Sequence, residues 1–299
     1  MKHLALTCCS LYCTRRASSF FLPCNLDARM KKRVLSTRAT AETGLTKISV
    51  TAASAGGNDG NARKKIRQAV EESITDETIR DDIVSNPWYT FFTKGDAEYG
   101  EYMATEWGFE RRGDVALFEK LSLEGAQSGL SWLTVLRKRP AYRKAFYNFD
   151  PAKVALMTEN DVQKLIDFQS ENPRDQLVRH RGKIESVINN AKCIVQLREE
   201  LSTKETTFGV FDDLLWSFVD NRPILSRCSL SQLPSKSPES EAMSNALKKR
   251  GFKFVGPTTC YSMMQALGMV IDHPMDSPEW LAAYERLKQR PGGFQERSP

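Results

Sequence analysis

The sequence predicts an all-α protein. Apolar residues recur at helical spacing from about residue 114 to the end, each pattern bounded by a cap residue or a short break. No segment alternates as a half-buried strand does, and no fixed period marks a repeat array. The first pattern, DVALFEKLSLEG (114–125), places Leu117, Phe118 and Leu121 on one stripe, with Asp114 as its expected N-cap. LTVLRKRPAYRKAFYNF (133–149) is amphipathic, and Pro140 opens a second segment within it. Asp150 followed by Pro151 is a cap and a first-turn proline. Thr158, three residues before Asp161, starts another helix. Long amphipathic patterns cover 183–201 and 211–221. The segment 237–251 closes on Lys248, Lys249 and Arg250 before Gly251, a C-terminal signal. CYSMMQALGMVIDH (260–273) is expected as one apolar helix.

Charge divides the chain in two. Residues 1–67 hold 13 Lys/Arg against 3 Asp/Glu, so the net +6 belongs to this segment and residues 68–299 carry a balance of −4. The N-terminal stretch is rich in Arg, Ser and Thr and poor in acids, the composition of an organelle transit peptide. Its alternative is a disordered basic tail that touches nucleic acid. Plastid and mitochondrion are not separated by this test, and the nucleus is the other destination. Residues 52–62 have linker composition, and the fold is expected to begin within 65–85. Four of seven cysteines lie in the first 24 residues; Cys193, Cys228 and Cys260 are widely spaced, so no disulfide framework is expected and a reducing compartment fits. No apolar run approaches the roughly 20 residues that span a bilayer.

One residue breaks the apolar pattern. Leu117, Leu121, Glu124 and Ser128 share a helical stripe, so Glu124 points toward a core or cleft, where a lone carboxylate is costly unless partnered. Gly125, Ser128 and Gly129 are expected to clear space beside it, and Trp132 to supply a flat wall. An acid, a volume and an aromatic wall suit a flat, hydrogen-bonding, cationic ligand. The competing reading is a structural glutamate satisfied by backbone amides. YMATEWGFE (102–110) adds Tyr102, Glu106 and Trp107. LVRHRGKIESVINNA (177–191) is a basic turn entering a helix, whose N-terminus suits a phosphate, and KKRGFKF (248–254) is a second basic cluster.

These segments carry a resemblance. EWG (106–108), LEGAQSGLSWLTVLRKR (123–139), YRKAFYNFDPAKVA (142–155), RHRGKI (179–184), LWSFV (215–219) and ALKKRGFKFVGPTTCYSMMQALGMVIDH (246–273) form six ordered blocks. Together they resemble the bacterial Tag family of helix–hairpin–helix DNA repair enzymes, DNA-3-methyladenine glycosylase I. The resemblance implies an all-α fold of two helical lobes with a base pocket between them, spanning 68–299. It implies excision of 3-methyladenine from alkylated double-stranded DNA by a monomer, without strand cleavage and without a membrane. Carried over by position, Glu124 is the catalytic carboxylate, and Tyr102, Trp107, Trp132 and Phe92 bind the base, with Trp88 competing for the place of Phe92. Gly129 and Leu130 face the gap in the DNA. Arg179, His180, Arg181, Gly182 and Lys183 grip phosphates, supported by Lys248 and Lys249. A non-catalytic DNA-binding module on the same scaffold is the alternative; a glycosylase of shifted base preference is a third.

Two features depart from the family. Its structural zinc is implied to need a Cys near Thr90, a His at Met103, His273, and a Cys at Ser277; only His273 is present, so no metal is expected and His273 becomes a structural histidine. The tie between the termini then falls to packing of WYTFF (88–92) against PEWLAAYERL (278–287). The hairpin DFQSENPRDQLVRHRGKI (167–184) is longer than the family's and lacks its glycine before the basic turn.

Overall fold

The computed structural model describes residues 89, 93–201, 205–275 and 277–298. The expected leader and linker (1–67), the start of the fold at 65–85, Trp88 and Phe92 lie outside the described residues. Among the described residues the chain forms eleven α-helices and three short strands. They are α1 (Ala97–Thr105), α2 (Asp114–Gln127), α3 (Trp132–Leu136), α4 (Arg139–Ala145), α5 (Pro151–Val154), α6 (Glu159–Asp167), α7 (Arg181–Glu200) and α8 (Val210–Ser217). Then follow β1 (Ile224–Ser226), α9 (Pro238–Lys249), α10 (Pro257–Ala266), β2 (Val270–Ile271), α11 (Pro278–Lys288) and β3 (Gln295–Arg297). No helix among the described residues is long and apolar enough to cross a membrane.

Local chemistry accounts for most boundaries. Asp150 accepts from the Ala152 amide at 3.0 Å, with Pro151 opening α5. Thr158 and Asp161 form a reciprocal capping box at α6. Ser237 and Ser240 do the same at α9, whose last turn carries Lys248 and Lys249. The helix of 183–201 begins two residues earlier, at Arg181, because His180 caps it.

The predicted cap at Asp114 is corrected. Gly113 is the N-cap of α2, and Asp114 turns to α8 instead. Its Oδ1 accepts from the Phe211 and Asp212 amides at 3.0 and 2.9 Å, and its Oδ2 accepts from Arg198 at 3.1 Å. Asp212 returns the favour, accepting from the Gly113 amide at 2.6 Å. The N-termini of α2 and α8 therefore exchange carboxylates, each supplying the acceptor that the other's free N–H groups and positive dipole end require.

The absence of strands is corrected too. β1 lies at the centre of a parallel sheet in the order β2–β1–β3, with Ile224 opposite both Val270 and Gln295. Strands of two or three residues are too short to show alternation, and β1 and β2 are buried throughout. Residues 260–273 are not one helix either: α10 stops at Ala266, Gly268 takes a left-handed φ of 69°, and 270–271 form β2. A glycine is needed there, because a Cβ at Gly268 would sit 2.5 Å from the Phe109 carbonyl carbon.

At the centre lies α2, which packs against α3, α7, α8 and α10. Leu117, Phe118, Leu121 and Leu123 are fully buried, and burial continues through Gln127. A helix enclosed on nearly every side leaves no solvent for polar side chains on it, so Lys120 and Glu124 must find partners inside. Replacing Asp114 by Ala removes the acceptor for two α8 amides and strands Arg198. The expected loss is about 2 kcal/mol of unfolding free energy in urea titration. Asp114→Asn, which keeps an acceptor oxygen, loses less; a D114A protein as stable as wild type would contradict the exchanged caps.

Candidate active site

Three helices bring the sequence-predicted residues together. Asp96 caps α1 by accepting from the Tyr99 amide at 3.0 Å, which sets Tyr102 on the inner face of that helix. Lys120 and Glu124 stand one turn apart on α2. Ser131 caps α3 and places Trp132 at its first position. The chain reaches α3 through a tight turn, 128–131, in which the Leu130 amide donates to the Gln127 carbonyl at 2.6 Å.

The carboxylate is buried and paired. Glu124 Oε1 lies 2.9 Å from Lys120 Nζ, and the two side chains are 5 and 10 % exposed. The same ammonium donates to the Tyr102 hydroxyl at 2.7 Å. It sits 3.6 Å from the centroid of the Trp132 ring and 4.9 Å from that of Tyr102. The two aromatic rings are 5.1 Å apart, tilted by 43°. Neither reading of Glu124 made from the sequence anticipated this partner: the stripe through Leu117, Leu121 and Glu124 passes beside Lys120, whose i,i+4 spacing to Glu124 was the available signal.

A cavity of about 140 Å³ opens beside the pair, lined by Tyr102, Lys120, Leu123 and Trp132 and rimmed by Glu106, Glu119 and Arg139. Lys120 touches both this volume and Glu124, whereas Glu124 does not line it. The Trp132 indole N–H has no acceptor among the described residues. Arg139 spans the rim, donating to both Glu106 oxygens at 2.8 Å and to Glu119 at 2.5 Å. The space expected beside Gly125 is already taken: a Cβ there would lie 3.2 Å from Phe254 Cβ, so this glycine serves close packing of α2 on the 251–256 turn.

The remaining predicted residues are distributed around this centre. Trp107 is buried, and its ring meets the His273 ring edge-on at 5.2 Å, away from the cavity lining. Gly129 is exposed and Leu130 half-buried on the 128–131 turn. Lys183 is committed inward: its ammonium donates to the Ala126 and Ser128 carbonyls at 2.8 and 2.6 Å, and burial lowers its pKa. His180 Nδ1 accepts from the Lys183 amide at 3.3 Å, so one of the amides expected for a phosphate is occupied. Arg181 pairs with Glu159 and Glu185 and donates to Gln163. Gly182 lies in the first turn of α7. Arg179, Lys248 and Lys249 are exposed and carry no ion pair among the described residues. The long connection 168–180 is pinned by Lys138, which donates to the Pro173 carbonyl and, at 2.9 Å, to that of Gln176.

The residues around His273 do not fit the zinc that the resemblance implies. No group of three or more His, Cys, Asp or Glu side chains arranged to hold a metal occurs among the described residues. Met103 is buried core, and His273 is enclosed, its pKa lowered to about 3 by burial and then by the cationic Arg286. Arg286 donates to the Gly108 carbonyl at 3.0 Å and stacks 4.3 Å from the Phe109 ring centroid, tying α11 to the segment after α1. Of residues 88–92 only Tyr89 is described; it is buried, and its phenol pKa is raised by burial and by the charge of Glu279 on α11.

The methyladenine glycosylase family model matches residues 92–279. The chain is 46% identical over 179 residues to DNA-3-methyladenine glycosylase 1 of Escherichia coli (strain K12), covering 60% of this chain and 89% of that protein. It is 44% identical over 181 residues to DNA-3-methyladenine glycosylase of Haemophilus influenzae, covering 60% and 91%. A solved structure of 3-methyladenine DNA glycosylase I from Staphylococcus aureus, a study of 3-methyladenine recognition, aligns with a TM-score of 0.56 at 34% identity, covering 62% and 92%.

Proposed function

Because this chain belongs to the methyladenine glycosylase family, we propose that it is a DNA repair enzyme that excises 3-methyladenine from alkylated double-stranded DNA. The observation that carries the reading is the buried Glu124 carboxylate beside the paired faces of Tyr102 and Trp132. N3-methylated adenine is cationic while attached to the sugar. When the N-glycosidic bond breaks, the base takes both electrons and leaves neutral, so no proton donor is needed. The protein's work is to extract the nucleotide from the stack, hold the base, and let water attack the sugar carbon. Water forms the new bond to that carbon and gives its proton to solvent, leaving an abasic site and an intact strand. Glu124 accepts N–H bonds from the base edge and favours its positive charge, and Trp132 and Tyr102 supply the stacking faces.

In this reading the fold is the helix–hairpin–helix glycosylase architecture, with the base pocket between two helical lobes, and the protein acts as a monomer. The exposed 128–131 turn enters the gap that the flipped base leaves, with Leu130 as the apolar wedge. Arg179, Lys248 and Lys249 meet phosphates. Lys183 contributes by fixing the turn to α7, not by touching DNA. Phe92 or Trp88 completes the aromatic wall.

Base release from methylated duplex DNA tests the function. Wild type frees 3-methyladenine; Glu124→Gln and Glu124→Ala lower kcat/KM by about 10²-fold. A wild-type protein that releases no 3-methyladenine would sink the assignment. No zinc is bound, because one histidine beside an arginine cannot supply four ligands; elemental analysis of purified protein is expected to find no stoichiometric zinc, and one equivalent would overturn this. Residues 1–67 are proposed to direct import into a plastid or mitochondrion. Fused to a fluorescent protein, they are expected to concentrate it in one of these organelles; diffuse cytosolic fluorescence would contradict the proposal.

A further inference from the structure

The Lys120 ammonium occupies the position that a cationic base would need. It lies over the Trp132 face at 3.6 Å, within a hydrogen bond of Tyr102, and in contact with Glu124. These are the stacking wall and the carboxylate of the proposed base site, already engaged by a positive charge. The open volume beside them is about 140 Å³. Glu124 does not line that volume, so a base entering it reaches the carboxylate only if Lys120 moves. Lys120 is the side chain at the boundary between that volume and Glu124, and its long flexible stem makes it the group that can move.

We infer that Lys120 is a resident cation in the base site and that base capture is an exchange, in which the flipped cationic base displaces the ammonium from Trp132 and Glu124. This rests on the assignment of Tyr102, Glu124 and Trp132 as the base site. Glu106 and Glu119 on the cavity rim are already paired with Arg139, Arg111 and Arg143, so the displaced ammonium moves out to the cavity mouth and to water. Charge sets the selectivity of the exchange. A cationic base replaces one positive charge by another at Glu124. A neutral base leaves the carboxylate buried without a counter-charge, which is costly. Lys120 therefore raises the threshold for entry, and unmethylated bases in normal DNA fail to meet it. In the empty enzyme the same ammonium keeps Glu124 compensated.

The test compares wild type with Lys120→Met, Lys120→Arg and Lys120→Gln. Each is titrated calorimetrically with 3,9-dimethyladeninium, which keeps the fixed positive charge that the base carries while attached to the sugar, and assayed in single turnover on methylated duplex DNA over a range of enzyme concentration. Lys120→Met is expected to bind this cation about tenfold more tightly and to half-saturate at about tenfold lower concentration, a gain set by the lost cation–π and ion-pair competition. Lys120→Arg, which keeps the charge, binds the cation as wild type does. Lys120→Gln keeps a donor for Glu124 and Tyr102 without charge, and it gives the same reading should the Met variant fail to fold. Folded uncharged variants that bind the 3,9-dimethyladeninium cation no more tightly than wild type would overturn the exchange, because an ammonium that contacts the base directly must weaken binding when removed. A wild type that binds the cation but releases no 3-methyladenine from DNA would overturn the glycosylase reading alone, and tighter binding of the cation by Lys120→Met would still support the exchange.

Discussion

The structure turns on a charge pair inside a buried helix. α2 is surrounded by α3, α7, α8 and α10, so its polar side chains must be satisfied by one another or by groups that those helices present. Glu124 and Lys120 solve this within a single turn, and Tyr102 and Trp132 close around them. Removing either charge alone leaves the other stranded in a low-dielectric site. The pair is therefore a structural necessity in the empty protein and, under the proposed function, the point at which a cationic base is recognised.

Both ends of α2 are fixed from outside, which gives the site its rigidity. At the N-terminus, Asp212 holds Gly113 while Asp114 holds α8 in return. At the C-terminus, Lys183 reaches from the first turn of α7 to the Ala126 and Ser128 carbonyls. Gly125 lets the 251–256 turn press against the same stretch, and Asn190 locks that turn to α7 through paired bonds with Lys253 at 2.8 and 3.0 Å. The Lys120–Glu124 pair, the 128–131 turn and the start of α7 are thus mechanically one unit. A DNA backbone held at α7 and a nucleotide entering beside Glu124 would report to each other through these bonds.

Much of this was legible in the sequence, and the exceptions share a cause. Capped, amphipathic helices announce themselves because both the cap and the stripe are local; α5, α6 and α9 begin where Asp150, Thr158 and Ser237 indicate. Glu124 was visible as an acid on an apolar stripe. What escaped is non-local. Asp114 was expected to cap its own helix, but its acceptors are spent 97 residues away on α8. Lys183 looked like one more cation in a basic turn, and only the fold aims it at two carbonyls. The strands at 224–226, 270–271 and 295–297 exist because distant segments pair, and none is long enough to carry a period. Lys120 was within reach, since its spacing to Glu124 is helical, but that α2 is enclosed enough to force the pairing is a tertiary fact.

If Tyr102, Glu124 and Trp132 form a base site that Lys120 holds shut, a crystal structure of the protein with 3,9-dimethyladeninium shows the cation stacked on Trp132 with its N–H edge at Glu124, and Lys120 Nζ withdrawn from both toward the mouth of the cavity. A cation bound elsewhere, or bound at Glu124 with the Lys120 ammonium still over Trp132, would refute this.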